Sequence, residues 1–296
     1  MAATRTDQLL IRPMREADLD DVAELSARAF LVDLDAPPPP GSAGLSVRES
    51  WTRRLAHPLR TDPEGAFIAE RDGQLIGVTQ ALARENLWVL SLLAIHPRAQ
   101  SGGAGRGLLA QALGYHADAE RGLIVASNDP RALRAYTLTG FMALPCFSAT
   151  GSVNRDKLRA VRTADIVELH YGDDLTGLDA LTREVRGAPY GADLSVLLEL
   201  KARLLHIPDR GFALLGRHGV DALVARDREA ATRLLWHGLA EAPAGTNVSL
   251  RWLTAQQQWA IQAALQLGLK LEADCALMVR GHPGTLAPFI PTGPFA

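Results

Sequence analysis

The spacing of apolar residues near the start of the chain changes from the repeat of a strand to that of a helix. Leu9 to Arg12 is a short apolar run, and Asp18 to Phe30 carries apolar side chains at helical spacing. Asp33 to Gly44 includes four consecutive prolines and two glycines, so it predicts a loop. A second helix is expected from about Val47 to Ala56. The chain thus begins as strand, helix, loop and helix.

Two apolar runs then flank a tight turn. Ala66 to Glu70 and Leu75 to Ala83 are separated by a segment that contains Asp72-Gly73, a pair typical of two-residue hairpin turns. Leu87 to Ile95 is an almost continuous apolar run, which indicates a strand that is buried on both faces. These runs predict a hairpin and a central strand.

A glycine-rich turn follows this central strand. Gln100-Ser101-Gly102-Gly103-Ala104-Gly105 leads into Arg106 to Ala119, whose apolar residues lie on one helical face. A turn between a strand and a helix directs several backbone N–H groups and the positive end of the helix dipole at one point. The segment therefore predicts a phosphate-binding turn, although glycine clusters of this length can also be plain flexible turns.

The next elements repeat the order of strand and helix. Leu123 to Ala126 reads as a buried strand, after which Asn128 or Asp129 can cap a helix with Pro130 in its first turn. This helix is expected to end near Gly140, where a glycine suits a helix C-terminus.

The order of elements partly recurs in the second half of the chain. A hairpin, a helix, a strand and a second helix follow one another, and a glycine with an apolar neighbour then stands where Gly140-Phe141 stands in the first half. The segments are Phe212 to Leu215, Val220 to Ala225, Arg228 to Ala240, Asn247 to Trp252, Ala255 to Leu267 and Gly268-Leu269. This recurrence predicts two diverged copies of one architecture.

Composition and charge narrow the possible partners. With 296 residues, 47% hydrophobic and 22% charged, the chain can form two modest globular domains. A net charge of -2 favours neither nucleic acid nor an anionic membrane. Cys146 and Cys275 lie in apolar surroundings, so we expect buried thiols rather than a disulfide. Met1 to Gln8 has no apolar core of a signal peptide, and a cytoplasmic location is expected.

Several catalytic chemistries lack support in the sequence. The eight histidines include no pair at metal-ligand spacing on a helix, and no Cys-x-x-Cys is present, so no metal site is expected. Neither Gly-x-Ser-x-Gly nor Gly-Lys-Ser/Thr occurs, which argues against a hydrolase elbow and an ATP-type phosphate loop.

The segment from Leu93 to Leu109 resembles the central motif of the GNAT superfamily of N-acetyltransferases. The family pattern is Gln/Arg-x-x-Gly-x-Gly/Ala, and Gln100, Gly103 and Gly105 match it. A second stretch, Asn128 through Tyr136 to Gly140-Phe141, resembles the next motif of the family. Together the resemblance covers about residues 9 to 150.

The resemblance implies a fold and a cosubstrate. The fold class is α/β of the α+β type, with a mixed, mainly antiparallel sheet flanked by helices, and the cosubstrate is acetyl-CoA. The implied contacts are strand backbone for the pantetheine arm, the glycine turn for the pyrophosphate, and an asparagine at the following strand end. These residues are Leu93, Ala94 and Ile95; Gln100, Ser101, Gly102, Gly103, Ala104, Gly105 and Arg106; and Asn128.

The resemblance also implies a reaction in which an amine attacks the thioester directly. Tyr136 matches the family's usual general acid; the alternative is a core aromatic residue on an amphipathic helix. Glu85 is the candidate general base, with a solvated turn charge beside Arg84 as the alternative. The expected acceptor is a primary amine of a small molecule or peptide. A rival function is a non-catalytic sensor of acyl-CoA or of a metabolite.

The second half departs from the family pattern. Leu223 to Glu229 occupies the place of the cofactor turn but contains no glycine, and Ala264 stands where Tyr136 stands in the first half. We therefore predict an active domain over residues 1–160 and a degenerate GNAT-like domain over 161–296. The degenerate half could supply packing, part of an acceptor pocket or an oligomer surface such as that of a homodimer.

Overall fold

Two compact units make up the described part of the chain. The computed structural model describes residues 8–37, 45–158, 162–200, 202–216 and 218–296. The first unit runs to Ala83 and continues over Trp88–Asp118, and the second contains Arg84–Leu87 and the residues from Ala119 onward. The predicted loop over residues 33–44 is described only as far as residue 37, where it forms neither helix nor strand.

The first unit contains a four-stranded run of sheet in the order β1-β2-β3-β4. Three helices accompany it. The elements are β1 (Leu9–Pro13), α1 (Leu19–Phe30), α2 (Val47–Thr61), β2 (Ala66–Arg71), β3 (Gln74–Arg84), β4 (Leu87–Ile95) and α3 (Ala104–Gly114).

The predicted hairpin is confirmed as β2 and β3. Asp72 and Gly73 both have positive φ, 52° and 76°, which is the backbone of the two-residue turn that matches strand twist. β1 adds to the other edge of β2 in antiparallel register, with Leu9 opposite Arg71. The Asp72-Gly73 turn thus places Arg71 opposite Gln74 in the β2–β3 pair.

The helices of this unit cover both faces of the sheet. Ile68 belongs to the core formed under α1 and α2, whereas its neighbour Ala69 belongs to a core with Ala104 and Leu108 of α3. Adjacent residues of a strand point to opposite faces. The positions on β2 therefore show why its apolar run is continuous: both faces are buried.

Two helices differ in length from the prediction, and each has a local reason. α2 begins with a capping box between Ser46 and Glu49 and continues to Thr61 because its buried face extends through Leu59. α3 ends at Gly114 rather than near Ala119. The residue that follows, Tyr115, donates its hydroxyl to Asp62 at 3.0 Å and leaves the helix path.

The second unit contains nine strands in two sheets. One run of sheet has the order β5-β12-β6-β11, and the other sheet is β13-β10-β9-β8-β7. The strands are β5 (Arg121–Ala126), β6 (Met142–Ser152), β7 (Val167–Leu169), β8 (Arg203–Ile207), β9 (Gly211–Gly216), β10 (Gly219–Ala225), β11 (Asn247–Thr254), β12 (Lys270–Arg280) and β13 (Phe289–Ile290). The helices are α4 (Pro130–Leu138), α5 (Asp179–Arg186), α6 (Ala192–Glu199), α7 (Arg228–Glu241) and α8 (Gln258–Gln266).

The mixed helix-and-strand architecture with mainly antiparallel pairing agrees with the expected fold class, and two sheets fit two GNAT-like domains. The second predicted hairpin, from residue 211 to 225, is confirmed as β9 and β10. The segment predicted as one helix from Ala255 begins with a 3-10 turn and becomes α-helical at Gln258.

Strand β12 lies between two strands that come much earlier in the chain. Ala276 pairs with Ala126 of β5 and, on the other side, with Pro145 of β6. The far edge of β6 pairs with β11. Both neighbours of β6 therefore come from the second half. The division into two copies over residues 1–160 and 161–296 stays a prediction; the strands β5 and β6 before residue 160 and the strands β11 and β12 after it belong to one sheet.

The two cysteines face this shared sheet as free, buried thiols, as expected. Cys146 lies on β6, and Cys275 lies in the irregular stretch of β12 between Ala273 and Ala276. Burial raises the pKa of the Cys146 thiol to about 11 and that of Cys275 to about 12. Both side chains therefore stay protonated near neutral pH.

A buried arginine holds the last described residues against α5. The Arg186 guanidinium is fully buried and donates to the carbonyl oxygens of Ala296 at 2.8 Å and Phe295 at 2.7 Å. Tyr190 donates its hydroxyl to the same Ala296 oxygen at 2.6 Å. The apolar segment from Leu286 thus packs on the second unit through a specific polar anchor.

Replacing Arg186 with Met should lower the free energy of unfolding by about 3 kcal/mol, because buried carbonyl groups lose their donor. Urea denaturation followed by circular dichroism measures this loss. Arg183→Met is a matched control on the same helix, since Arg183 forms an exposed ion pair with Glu85, and it should cost less than about 1 kcal/mol. Equal losses in the two variants would contradict the role of Arg186.

Candidate cofactor and active site

The glycine-rich turn continues directly from the end of β4. His96 is tied to β3 by its N–H, which donates to the carbonyl of Ile76 at 2.9 Å, and residues 97–99 form one 3-10 turn. Ser101 and Gly103 then adopt positive φ, 66° and 88°. Gly103 is the N-cap of α3. The two left-handed residues turn the backbone sharply enough to start a helix immediately after the strand.

The backbone N–H groups that follow Gln100 are the next feature of this turn. In the described residues, no acceptor is found for the N–H groups from Ser101 through Arg106, and the first N–H of this stretch to bond is that of Gly107, to Gly103. The residues from Ser101 to Gly103 are exposed. A row of open N–H donors at the positive end of a helix suits a pyrophosphate. Arg106, also exposed, can add a charge to the row.

Arg71, the last residue of β2 before the hairpin turn, contacts the glycine-rich turn. Its Nη2 atom donates to the carbonyl of Gly102 at 3.3 Å. A Cβ atom on Gly102 would lie 2.9 Å from that Nη2, so the end of the Arg71 side chain would have to shift to make room for it. Sequence reasoning missed Arg71, because nothing in the pattern places a hairpin tip beside a turn 30 residues later.

The three residues predicted to line the pantetheine arm lie at the end of β4. Leu93 and Ile95 pack towards the core under α3, while Ala94 belongs to the core under α1 and α2. Gln100 extends the set, because its side chain donates to the carbonyl of Ile95 at 3.5 Å. The strand end, the turn and the start of α3 therefore form one continuous piece of the first unit.

The other predicted cofactor residue, Asn128, lies in the second unit, exposed just after β5. The helix cap is its neighbour Asp129, whose carboxylate accepts from the N–H of Arg131 at 2.9 Å. Asn128 therefore does not cap the helix, and its side-chain amide has no hydrogen-bond partner among the described residues. Pro130 occupies the first turn of α4, as predicted.

Tyr136 lies in the last turn of α4 and is 5% exposed. In the described part of the chain, its phenol oxygen has no hydrogen-bond partner. Burial raises the pKa of the phenol, and the Asp129 carboxylate raises it further. The group is therefore a neutral hydrogen-bond donor at physiological pH, which is the state that a general acid requires.

Glu85 occupies the two-residue turn between β3 and β4, with a positive φ of 51°. Its half-exposed carboxylate accepts from the Nε atom of Arg183 at 2.7 Å. This turn precedes β4, whereas the glycine-rich turn follows it. Ser91, in the middle of β4, has a buried hydroxyl with no partner in the described residues.

In the second half, the start of α7 and the edge of β10 are both occupied by other parts of the chain. At the start of α7, Asp227 caps the helix through the N–H of Ala230 at 2.9 Å and pairs with Arg210. Along β10, Val224 pairs with Phe289 of β13, and the N–H of Ala225 bonds to Pro288. A carboxylate therefore lies at the start of α7, and β13 covers the edge of β10.

The described residues contain no cluster of His, Cys, Asp or Glu side chains that could hold a metal ion. None of the helices in these ranges is long and apolar enough to cross a bilayer.

Comparison with known proteins finds relatives that are all named as acetyltransferases. The model of the Acetyltransferase (GNAT) family matches residues 28–141. The mycothiol acetyltransferase of Streptomyces bingchenggensis is 36% identical over 110 residues, which cover 34% of this chain and 34% of that protein. The mycothiol acetyltransferase of Streptomyces coelicolor is 49% identical over 49 residues, 16% of each chain. The chain thus matches about a third of the length of the first relative and 16% of the length of the second.

Solved structures match over nearly the whole chain. A candidate acetyltransferase from Pyrococcus horikoshii superposes with a TM-score of 0.75 at 16% identity, covering 99% of this chain and 96% of the other. A tandem GNAT protein from the clavulanic acid biosynthesis pathway gives a TM-score of 0.57 at 16% identity, covering 92% and 98%. At this identity the likeness concerns the fold, and the fold is that of a two-domain chain.

Proposed function

Because residues 28–141 belong to the acetyltransferase (GNAT) family, we propose that this chain transfers an acetyl group from acetyl-CoA to a primary amine of a small molecule or a peptide. The observation that carries the proposal is the row of unbonded N–H groups from Ser101 through Arg106 at the start of α3. In an active protein such a row serves the cofactor pyrophosphate. The second half, whose equivalent positions are filled, is proposed to be non-catalytic.

Each part of the first site has a proposed task. The N–H groups of residues 101–106 hold the pyrophosphate, with Gln100 and Arg71 fixing the turn. The backbone of Leu93, Ala94 and Ile95 bonds the pantetheine amides in the manner of an added strand. Asn128 contributes its free amide. Acetyl-CoA supplies the acetyl group as a thioester, which is activated toward attack by an amine.

In the proposed reaction the neutral amine nitrogen forms a bond to the thioester carbonyl carbon, and the carbon–sulfur bond then breaks. Tyr136 donates a hydrogen bond, and then its proton, to the leaving sulfur. Glu85 is the proposed acceptor of the amine proton. Arg183 already engages the Glu85 carboxylate, so proton transfer to Glu85 has to compete with this ion pair.

We propose only the chemical class of the acceptor, which is a primary amine. Mycothiol appears only in the names of relatives that this chain matches over about a third of their length at most, so we do not narrow the acceptor to that chemistry. We also propose a cytoplasmic location, in which both free thiols stay reduced, and a homodimer as one assembly of the second half.

Release of coenzyme A tests the proposal directly. Purified protein, acetyl-CoA and a panel of small amines and amino-terminal peptides should give free thiol that depends on the amine, together with a mass increase of the acceptor. The rival function, a sensor of acyl-CoA, would be favoured by a different result: acetyl-CoA raises the melting temperature of the protein, but no amine in the panel causes release of free coenzyme A.

Tyr136→Phe should lower kcat by about 10²-fold while the Kd of acetyl-CoA changes less than about threefold, because the variant removes only the donor hydroxyl. Steady-state kinetics and calorimetric titration measure the two quantities. Tyr171→Phe is a matched control, since Tyr171 is exposed in the second half. An unchanged kcat in Tyr136→Phe would remove Tyr136 from the reaction.

A further inference from the structure

The end of the Arg71 side chain lies directly against Gly102 of the glycine-rich turn. Its Nη2 atom donates to the Gly102 carbonyl at 3.3 Å. A Cβ atom built on Gly102 would lie 2.9 Å from Nη2 and 3.3 Å from Nη1. Both terminal nitrogens of the guanidinium therefore face one residue, and this residue directly precedes Gly103, the N-cap of α3.

The backbone that carries Arg71 is fixed on both sides. In the sheet, Arg71 lies opposite Leu9 of β1 and opposite Gln74 of β3. The tight turn of Asp72 and Gly73 follows it directly. The Nε atom of Arg71 is covered by protein. The guanidinium thus reaches Gly102 from a rigid base.

Peptide geometry converts this contact into a direction for the next N–H group. In a planar trans peptide, the C=O of one residue and the N–H of the following residue point in opposite directions. The peptide between Gly102 and Gly103 is trans. Because the Gly102 carbonyl points at Arg71, the N–H of Gly103 points to the opposite side of the turn. That N–H has no acceptor among the described residues.

The same peptide could rotate easily without the contact. It joins two glycines, and glycine adopts positive and negative φ about equally readily. Rotation of the peptide plane would exchange the directions of the carbonyl and the N–H, and would turn a carbonyl oxygen towards a bound anion. A charged donor forms the stronger hydrogen bonds, so the guanidinium stabilises the orientation in which its own side of the turn carries the carbonyl.

We propose that Arg71 is a positioning residue, which holds the peptide between Gly102 and Gly103 so that the Gly103 N–H faces the pyrophosphate of coenzyme A. The inference rests on the proposed function for the identity of the ligand. It assigns Arg71 no contact with a phosphate, because its bond to Gly102 lies on the side of the turn away from the Gly103 N–H.

Calorimetric titration with coenzyme A tests the inference without turnover. Arg71→Met should raise the Kd at least about tenfold, because the peptide is no longer held in one orientation. Arg71→Lys, which keeps the charge but not the fork, should fall between. Arg98→Met is the matched control, since Arg98 is exposed on the preceding 3-10 turn and its side chain bonds none of the described residues; its Kd should change less than about threefold.

Two related ligands separate positioning from other roles of Arg71. Dephospho-coenzyme A keeps the pyrophosphate but lacks the phosphate on the ribose, and Arg71→Met should lose the same affinity for it within about twofold. A loss that disappears with this ligand would overturn the inference in favour of a direct contact with the ribose phosphate. Acetyl-pantetheine lacks the pyrophosphate, so its kcat/KM should stay within about twofold. A tenfold loss there would indicate general damage and would also overturn the inference.

The outcomes distinguish this inference from the proposed function. If coenzyme A binds Arg71→Met at least about tenfold more weakly than the wild type while no amine is acetylated, the function fails and the positioning role stands. If amines are acetylated and coenzyme A binds both proteins equally, the positioning role fails and the function stands. A wild type that does not bind coenzyme A would overturn both.

Discussion

A chain cut after residue 160 is expected not to fold. Such a fragment keeps β6 but loses β12 and β11, which are the strands on its two sides. It also loses the partner that pairs with β5 from Gly122 to Ala126. Two strands with open N–H and C=O groups and apolar faces cannot bury their surface alone and tend to aggregate.

The measurement is expression of residues 1–160 alone, followed by thermal melting with circular dichroism. Insoluble protein, or soluble protein without a cooperative transition, is the expected result. Co-expression with residues 161–296 should restore a soluble complex of the two fragments, because each supplies the strands that the other lacks. A monomeric 1–160 fragment that melts cooperatively near the temperature of the full chain would contradict the shared sheet.

Gly103→Val is expected to weaken acetyl-CoA binding at least about 100-fold, although the protein stays folded. Gly103 has a φ of 88°, and no other atom lies within 4 Å of the position that a Cβ would take. The variant therefore meets backbone strain of about 1–2 kcal/mol rather than a clash with the protein. Its side chain projects into the open space beside the unbonded N–H groups, where the pyrophosphate is proposed to lie.

Gly245→Val is the control for strain alone. Gly245 has a φ of 78° and an equally open Cβ position, but it precedes β11 and has no role in the site. Calorimetric titration of both variants with acetyl-CoA should show full affinity in Gly245→Val. Unchanged affinity in Gly103→Val would sink the assignment of the turn.

Local chemistry explains why much of the first unit could be predicted. The Asp72-Gly73 turn, the apolar run of β4 and the capped α4 each depend on residues within a few positions of one another. The same holds for the turn from Gln100 to Gly105. Such segments can be predicted from the sequence, because their backbone conformation and burial follow from neighbouring residues.

The remaining features depend on residues far apart in sequence. β12 was not predicted, because its first half, from Lys270 to Asp274, is largely exposed and its partner strands lie more than 100 residues earlier in the chain. The contact of Arg71 with Gly102 is also a property of packing. Neither the pairing of distant strands nor a contact between a strand end and a distant turn leaves a periodic signal.

The pairing of Phe289 with Val224 bears on how many molecules of acetyl-CoA one chain can bind. Because β13 pairs with the edge of β10, and Asp227 caps the start of α7, we expect the second half not to bind acetyl-CoA. A heat-of-binding isotherm should therefore saturate at one molar equivalent per chain, with a single affinity. Such an isotherm would mean that a chain with two similar halves carries one acetyl-CoA site.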